Sequence, residues 1–257
     1  MESPKVTNCP APEFTLPRYR AILASALQAG YSFIDFPSLA AAANTAGPTC
    51  ALRHDCDNSL TAALRMARLE AGMGICSTYF VMLRSAMYNL LAKPNSDIVR
   101  EILSLGHHLG LHYDYSAYGP LDANQIAAHC EEERALLSTL FGQPVPVVSF
   151  HQPTAIVLEN QVRLLCLNVY DRDDTRGFTY ISDSNMTWRE GCPSAWLGQL
   201  RHPKLQLLVH PEWWTTAPMT IEEKWKAMLQ ENFAATQSVL LATERSYQTP
   251  LRMSHLP

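Results

Sequence analysis

The sequence carries no block of basic residues, no C-x-x-C pair and no long apolar run, and each absence removes a class of function. Its 20 Lys+Arg stand against 24 Asp+Glu, a formal charge of -4 at pH 7, so the broad positive field that nucleic-acid binding needs is missing. Nucleic acid is set aside as a partner. The start, MESPKVTNCPAPEF, has no apolar stretch after its lysine, and the longest charge-free segment, Phe36 to Leu52, is broken by Pro37, Asn44, Gly47 and Pro48. These features read as no signal peptide, no membrane span and a cytoplasmic protein. Seven cysteines, at positions 9, 50, 56, 76, 130, 166 and 192, are odd in number and form no C-x-x-C pair, which reads as reduced thiols in a cytoplasm and argues against zinc-finger chemistry. Internal repeats and low-complexity linkers are also missing.

What is present is enough apolar material for one sizeable core: 257 residues, 47% hydrophobic and 17% charged. Strand and helix signals alternate along the chain. A helix over 17–29, with Thr15 or Leu16 before it and Pro17 near its start, ends at Gly30 and leads to a strand at Tyr31–Phe36. A strand at Cys50–Asp55 precedes a helix at 59–71, the apolar run STYFVML precedes a helix at 95–105, and His108–His112 reads as a strand. Asp122 and Gln125 are placed for a capping box on a helix ending at Phe141, before a strand at Val145–His151. Leu205–His210 is a further strand. A last helix opens at Thr220 with Glu223 and carries Ile221, Trp225, Leu229, Phe233 and Leu240 as an apolar stripe. This order predicts an α/β chain of one domain, 1–257, folded as a β/α barrel whose ring is allowed to be distorted or incomplete, with reactive groups at the C-terminal strand ends.

Polar residues fall where that architecture puts chemistry. Arg53, Asp55 and, in a longer strand, Asp57 share one face, while His54 and Cys56 take the other. Two adjacent carboxylates imply a cation between them or one acting as a base; the plainer alternative is a structural ion pair with Arg53. In Gly106–Asp114, an extended chain brings His108, Gly110, His112 and Asp114 to one face, where imidazole and carboxylate suit a metal. A zinc-protease helix is excluded, because the glutamate of H-E-x-x-H is absent and Gly110 weakens a helix. Two more strand ends finish in histidine, His151 and His210. In the polar segment Tyr180–Trp188, Asp183 is placed to orient a histidine and Trp188 to line a sugar-sized pocket, with turn chemistry as the alternative. Trp213 and Trp214 either pack the barrel end or offer a wall for a pyranose, and Tyr113 is counted with Trp188 and Trp213 as a substrate contact.

In this order the motifs resemble those of the polysaccharide deacetylase superfamily, also called NodB-like or carbohydrate esterase family four. Arg-His-Asp55-Cys-Asp57 is similar to the family's first motif, Gly74–Val81 to its next strand, Gly106–His112 to its second motif and Leu208-Val-His210 to its last. The resemblance covers about residues 17–245. The signatures HD-x-D, GLHY, SFH-x-P, SDS and HP-x-WW look most similar to a divergent branch found in bacterial O-antigen biosynthesis, a lipopolysaccharide pathway. The resemblance implies Asp55 as general base, Asp57 and His112 as metal ligands and His210 as general acid. Ser116 stands where the family has a second metal histidine, and His151 stands where the family has an arginine. His151 is therefore taken as the third ligand, with Asp114 the alternative, and His107 as structural. The implied activity is metal-dependent removal of an N-acetyl group from a sugar or a nucleotide- or lipid-linked sugar precursor. The cofactor is a divalent metal, zinc first, with cobalt, nickel or iron also suited to a His/Asp set. Two further readings stay open: hydrolysis of another C–N bond, such as a cyclic amide, and carbohydrate binding without catalysis.

Overall fold

The computed structural model describes residues 13–252. The chain falls into two compact units, Met1–Thr216 and Ala217–Pro257. In chain order the first holds α1 (Leu16–Gln28), β1 (Ser32–Ile34), α2 (Leu39–Ala42), β2 (Thr49–Cys56), α3 (Leu60–Ala71), β3 (Thr78–Val81), α4 (Lys93–Ser104) and β4 (His108–Tyr113). It continues with α5 (Ala123–Phe141), β5 (Val147–Phe150), α6 (Ala155–Leu158), β6 (Leu167–Asn168), β7 (Thr179–Ser182), α7 (Pro193–Gly198) and β8 (Lys204–Val209). The second holds α8 (Ile221–Thr243).

All eight strands pair in parallel, in the order β6-β5-β4-β3-β2-β8-β7, with β1 added beside β2. Among the described residues β6 and β7 share no ladder, so the sheet curls without closing, which is the incomplete β/α barrel. Local chemistry sets the helix starts. The Thr15 side chain accepts from Arg18 N with Pro17 in the first turn of α1, Ser59 accepts from Ala62 N at α3, and Asp122 with Gln125 forms a full capping box at α5. Helix α4 begins at Lys93, earlier than the expected Asn95, because Pro94 occupies its first turn, where a missing N–H goes unused. Strands β6 and β7 are not anticipated by the sequence reading: β6 has two residues, and β7 is half-buried to exposed apart from Ile181, so neither gives an apolar run.

Strand β2 is buried along its whole length, and its pleat sorts chemistry by face. Ala51 packs inside with Phe36, Phe80 and Val147, while Leu52 and Cys56 pack outward among helix residues. His54, also outward, meets a polar cluster on the helix layer. Glu70 Oε1 accepts from Tyr19 Oη at 2.5 Å and lies 2.7 Å from His54 Nε2, and Glu70 Oε2 accepts from Ser77 Oγ at 2.6 Å and Tyr79 Oη at 3.0 Å. Ser77 N donates to His107 Nδ1 at 3.3 Å, so that nitrogen is unprotonated and Nε2 donates to the Ala67 carbonyl at 2.9 Å. Burial lowers the His107 pKa in the same sense. Packing accounts for His107, in line with its structural reading.

One expectation here needs correction. Cys192 is disulfide-bonded, so the reading of seven reduced thiols does not hold; Cys50, Cys56, Cys76, Cys130 and Cys166 are free, and Cys9 lies outside the described residues. Helix α8 opens with the expected Thr220–Glu223 capping box, and of its apolar stripe Trp225 and Phe233 are half-buried while Ile221, Leu229 and Leu240 are exposed.

Gly110 is the one position in β4 where the interior leaves no room for a side chain, since a Cβ there would lie 2.5 Å from Phe80 Cδ1. Gly110→Ala is expected to destabilise the protein by about 1–3 kcal/mol in urea unfolding, the usual cost of overpacking a core; an unchanged midpoint would show that the Phe80 ring moves freely.

Candidate active site and metal centre

The polar residues gather at the C-terminal ends of the strands. Asp57 follows β2, His112 lies near the end of β4 and His151 follows β5, and one ligand atom from each falls within 4.8 Å of the others. His112 Nε2 is 2.9 Å and His151 Nδ1 3.4 Å from the same oxygen, Asp57 Oδ1. Neither contact has the alignment of an N–H···O hydrogen bond, so Oδ1 is buried with no hydrogen-bonded partner. A carboxylate oxygen and two imidazole nitrogens converging in this way fit a divalent cation. Burial works against the Asp57 charge, but the neighbouring His112 and His151 imidazoles hold its carboxyl well below the usual carboxylate range.

The His112 ring is set from behind. Ser149 Oγ donates its single proton to Asp55 Oδ1 at 3.4 Å, so the 2.5 Å contact between Ser149 Oγ and His112 Nδ1 is donated by the imidazole. That fixes Nδ1 as the protonated nitrogen and turns Nε2 toward Asp57, the arrangement a metal-binding histidine needs. Asp55 is itself buried. Its Oδ2 accepts from Arg53 Nη2 at 2.8 Å, and the Arg53 guanidinium lies 5.3–5.7 Å from the ring centroids of Phe80, Tyr170 and Tyr180. The ion pair that the sequence offers as the plain alternative is therefore present, and it leaves Asp57 to the histidines. Position 151, where the resemblance expects an arginine, carries an imidazole, and the guanidinium beside Asp55 comes from β2.

A second group stands on β7 and β8. Asp183 is wholly buried; its Oδ1 accepts from the His210 backbone N–H at 3.0 Å and from His210 Nδ1 at 2.6 Å, and its Oδ2 accepts from Trp214 Nε1 at 2.9 Å. Three donors on one carboxylate lock the imidazole with Nε2 turned away from Asp183. Burial opposes the His210 charge, but Asp183 beside it outweighs burial and raises the pKa to about 10, so the ring carries a proton to give. Trp214 was read only as packing or as a sugar wall; its tie to Asp183 has no signature in one dimension. Glu212, also unassigned by the sequence, is buried in the turn after β8 and accepts from Asn58 Nδ2 at 2.9 Å.

Tyr113 must be removed from the candidate contacts. It alternates with His112, is 0% exposed, and stacks on Tyr118 at 5.9 Å in the outer core. Trp188 and Trp213 are half-buried, with Trp188 stacked on Phe14 at 6.4 Å. Ser116 is exposed, and its backbone N–H is capped by Asp114 Oδ1 at 2.9 Å, which occupies the alternative ligand in a turn. His108 starts β4 at the opposite strand end.

No family model and no curated protein matches the chain. Solved structures similar to it include a Streptococcus pyogenes deacetylase in complex with acetate, at 11% identity over 79% of this chain and 93% of that one with a TM-score of 0.49. The chitin deacetylase of the fungal pathogen Colletotrichum lindemuthianum is 16% identical over 73% and 84% of the two chains, with a TM-score of 0.43. A CE4 family pseudoenzyme from Bacillus anthracis is 12% identical over 74% of this chain, with a TM-score of 0.43, and the chain spans only 62% of its length.

Asp183→Asn keeps an oxygen beside His210 and removes the charge. The His210 titration, followed by NMR, is expected to fall from about 10 by roughly one pH unit or more. Any rate that needs the protonated ring then falls away from a lower pH upward. A titration left near 10 would assign the raised value to another group.

Proposed function

We propose that the chain is a metal-dependent hydrolase that removes the N-acetyl group of a sugar. The observation that carries this reading is the meeting, at one end of the sheet, of a carboxylate–imidazole triad, a separate carboxylate and an imidazole held by the buried Asp183. Asp57, His112 and His151 would hold the divalent metal, which when bound supplies Lewis acidity toward a carbonyl oxygen and lowers the pKa of water. Asp55, held by Arg53 and Ser149, takes the proton of the attacking water as its oxygen bonds to the acetyl carbon. When the C–N bond breaks, the electron pair stays on nitrogen, and His210 Nε2 gives it a proton while Asp183 carries the balancing charge. Acetate and an amino sugar are the products.

The finer parts of the reading rest on the sequence signatures and on composition. They are a cytoplasmic, nucleotide- or lipid-linked precursor in O-antigen or lipopolysaccharide synthesis, zinc as the metal, Trp188 and Trp213 as sugar contacts, and one catalytic domain spanning both units. Among the described residues no helix is long and apolar enough to cross a membrane. The non-catalytic alternative drew its support from Ser116, and that support weakens with His151 at ligand distance from Asp57.

Elemental analysis is expected to give close to one divalent ion per chain, lost in His112→Ala and in His151→Ala. Asp55→Asn should keep the metal and lose turnover on N-acetylated sugars by roughly 10²–10⁴-fold, the range for removing a general base. Protein that takes up no zinc, cobalt or nickel on reconstitution would overturn the proposal, as would wild-type turnover in Asp55→Asn.

A further inference from the structure

Two stretches of chain leave the sheet side by side at the active end. The β2–β8 ladder runs in register from Thr49–Lys204 to His54–Val209 and stops there. Beyond it Pro211, with no N–H to extend a ladder, opens the turn Pro211–Trp213, while β2 runs on through Cys56 to Asp57. Continued in the same register, Asp57 would stand level with Glu212. Here a side-chain bond takes over from the backbone: Asn58 Nδ2 donates to Glu212 Oε1 at 2.9 Å. Glu212 is only 9% exposed, and its Oε2 is buried with no hydrogen-bond partner among the described residues. A glutamate left half-matched inside a short turn is an expensive way to fill space.

Asn58 adjoins Asp57, and Glu212 is two residues from His210. We propose that the Asn58–Glu212 bond is a spacer fixing the distance between the metal half of the site and its proton donor, which makes Glu212 a positioning residue for protonation of the leaving nitrogen. Asp183 sets the rotation of the His210 ring, and the spacer sets how far the turn carrying it stands from Asp57. The inference rests on the deacetylase reading. A misplacement near 1 Å at such a donor costs on the order of 10²-fold in rate. The cost falls on C–N cleavage, in which the departing nitrogen needs the His210 proton; a nitrophenolate leaves an acetate ester without one.

The test compares metal-loaded full-length protein and its Asn58→Ala, Glu212→Ala, double and Glu212→Gln variants on an N-acetylglucosamine oligomer and on para-nitrophenyl acetate. Either alanine change is expected to lower kcat on the oligomer by about 10- to 100-fold, with KM and metal content held, and to change the ester rate by less than about 3-fold. The double variant should be no worse than the single ones. Glu212→Gln, which keeps an oxygen for Asn58, should recover most of the loss. Where Glu212→Ala does not fold, Asn58→Ala and Glu212→Gln carry the same comparison. Equal losses on both substrates, or unchanged oligomer turnover in Asn58→Ala, would overturn the spacer while leaving the deacetylase reading in place. Metal-loaded wild-type protein that releases acetate neither from the oligomer nor from a nucleotide-linked N-acetyl sugar overturns that reading, and the spacer with it.

Discussion

A guanidinium buried inside a sheet of parallel strands is the interaction on which the rest of this molecule depends. Strand β2 has no solvent-facing side, yet it carries Asp55 inward, and an unpaired carboxylate there would cost several kcal/mol. Arg53, two residues earlier and therefore on the same face, supplies the counter-charge at 2.8 Å. Its other surroundings are aromatic. Tyr180 belongs to β7 and Tyr170 follows β6, the two strands that border the unclosed edge, so both margins of the gap send a ring toward the same cation. The buried charge of β2 is thereby tied to the part of the barrel where backbone pairing runs out.

The opposite face of β2 repeats the device with different groups. His54 meets Glu70, and that carboxylate also gathers Tyr19, Ser77 and Tyr79, so that helices α1 and α3 and strands β2 and β3 share one buried acceptor. Both faces obey the rule that a buried charge is kept only where partners are arranged around it. Because Arg53 and Glu70 absorb the structural demand, Asp57, His112 and His151 are left to face one another.

Much of this is legible in the sequence, and the divide between what is and what is not is physical. Thr15, Ser59 and the Asp122–Gln125 box announce helix starts because capping is local, and Asp55, Asp57, His112, His151 and His210 are legible as strand-end residues because the βαβ alternation fixes which end is which. Tyr113 is misplaced for the converse reason: one step along a strand is the other side of a sheet, so a neighbour in sequence of His112 is its opposite in space. Strand β7 escapes notice because this short edge strand buries only one of its four side chains, Ile181. The ties of Trp214 and Glu212 escape because the two sit at the end of and within a 3₁₀ turn, which has no period to read, and their partners Asp183 and Asn58 lie 31 and 154 positions away.

The pairing of β2 with β8 has a consequence in time. Residues 49–54 find their partners at 204–209, so the central strand of the sheet waits, with one edge unpaired, while some 150 residues more are synthesised. The partners of its charged inner face come earlier: Arg53 and Asp55 pair with each other, and the rings of Phe80, Tyr170 and Tyr180 all precede β8 in the chain. Asp57, His112 and His151 can be assembled by the earlier strands alone, whereas Asp183, His210 and Trp214 arrive together with the strand that completes the sheet. In order of synthesis the Asp57–His112–His151 cluster is therefore complete before the Asp183–His210–Trp214 group, which arrives with the strand that closes the core.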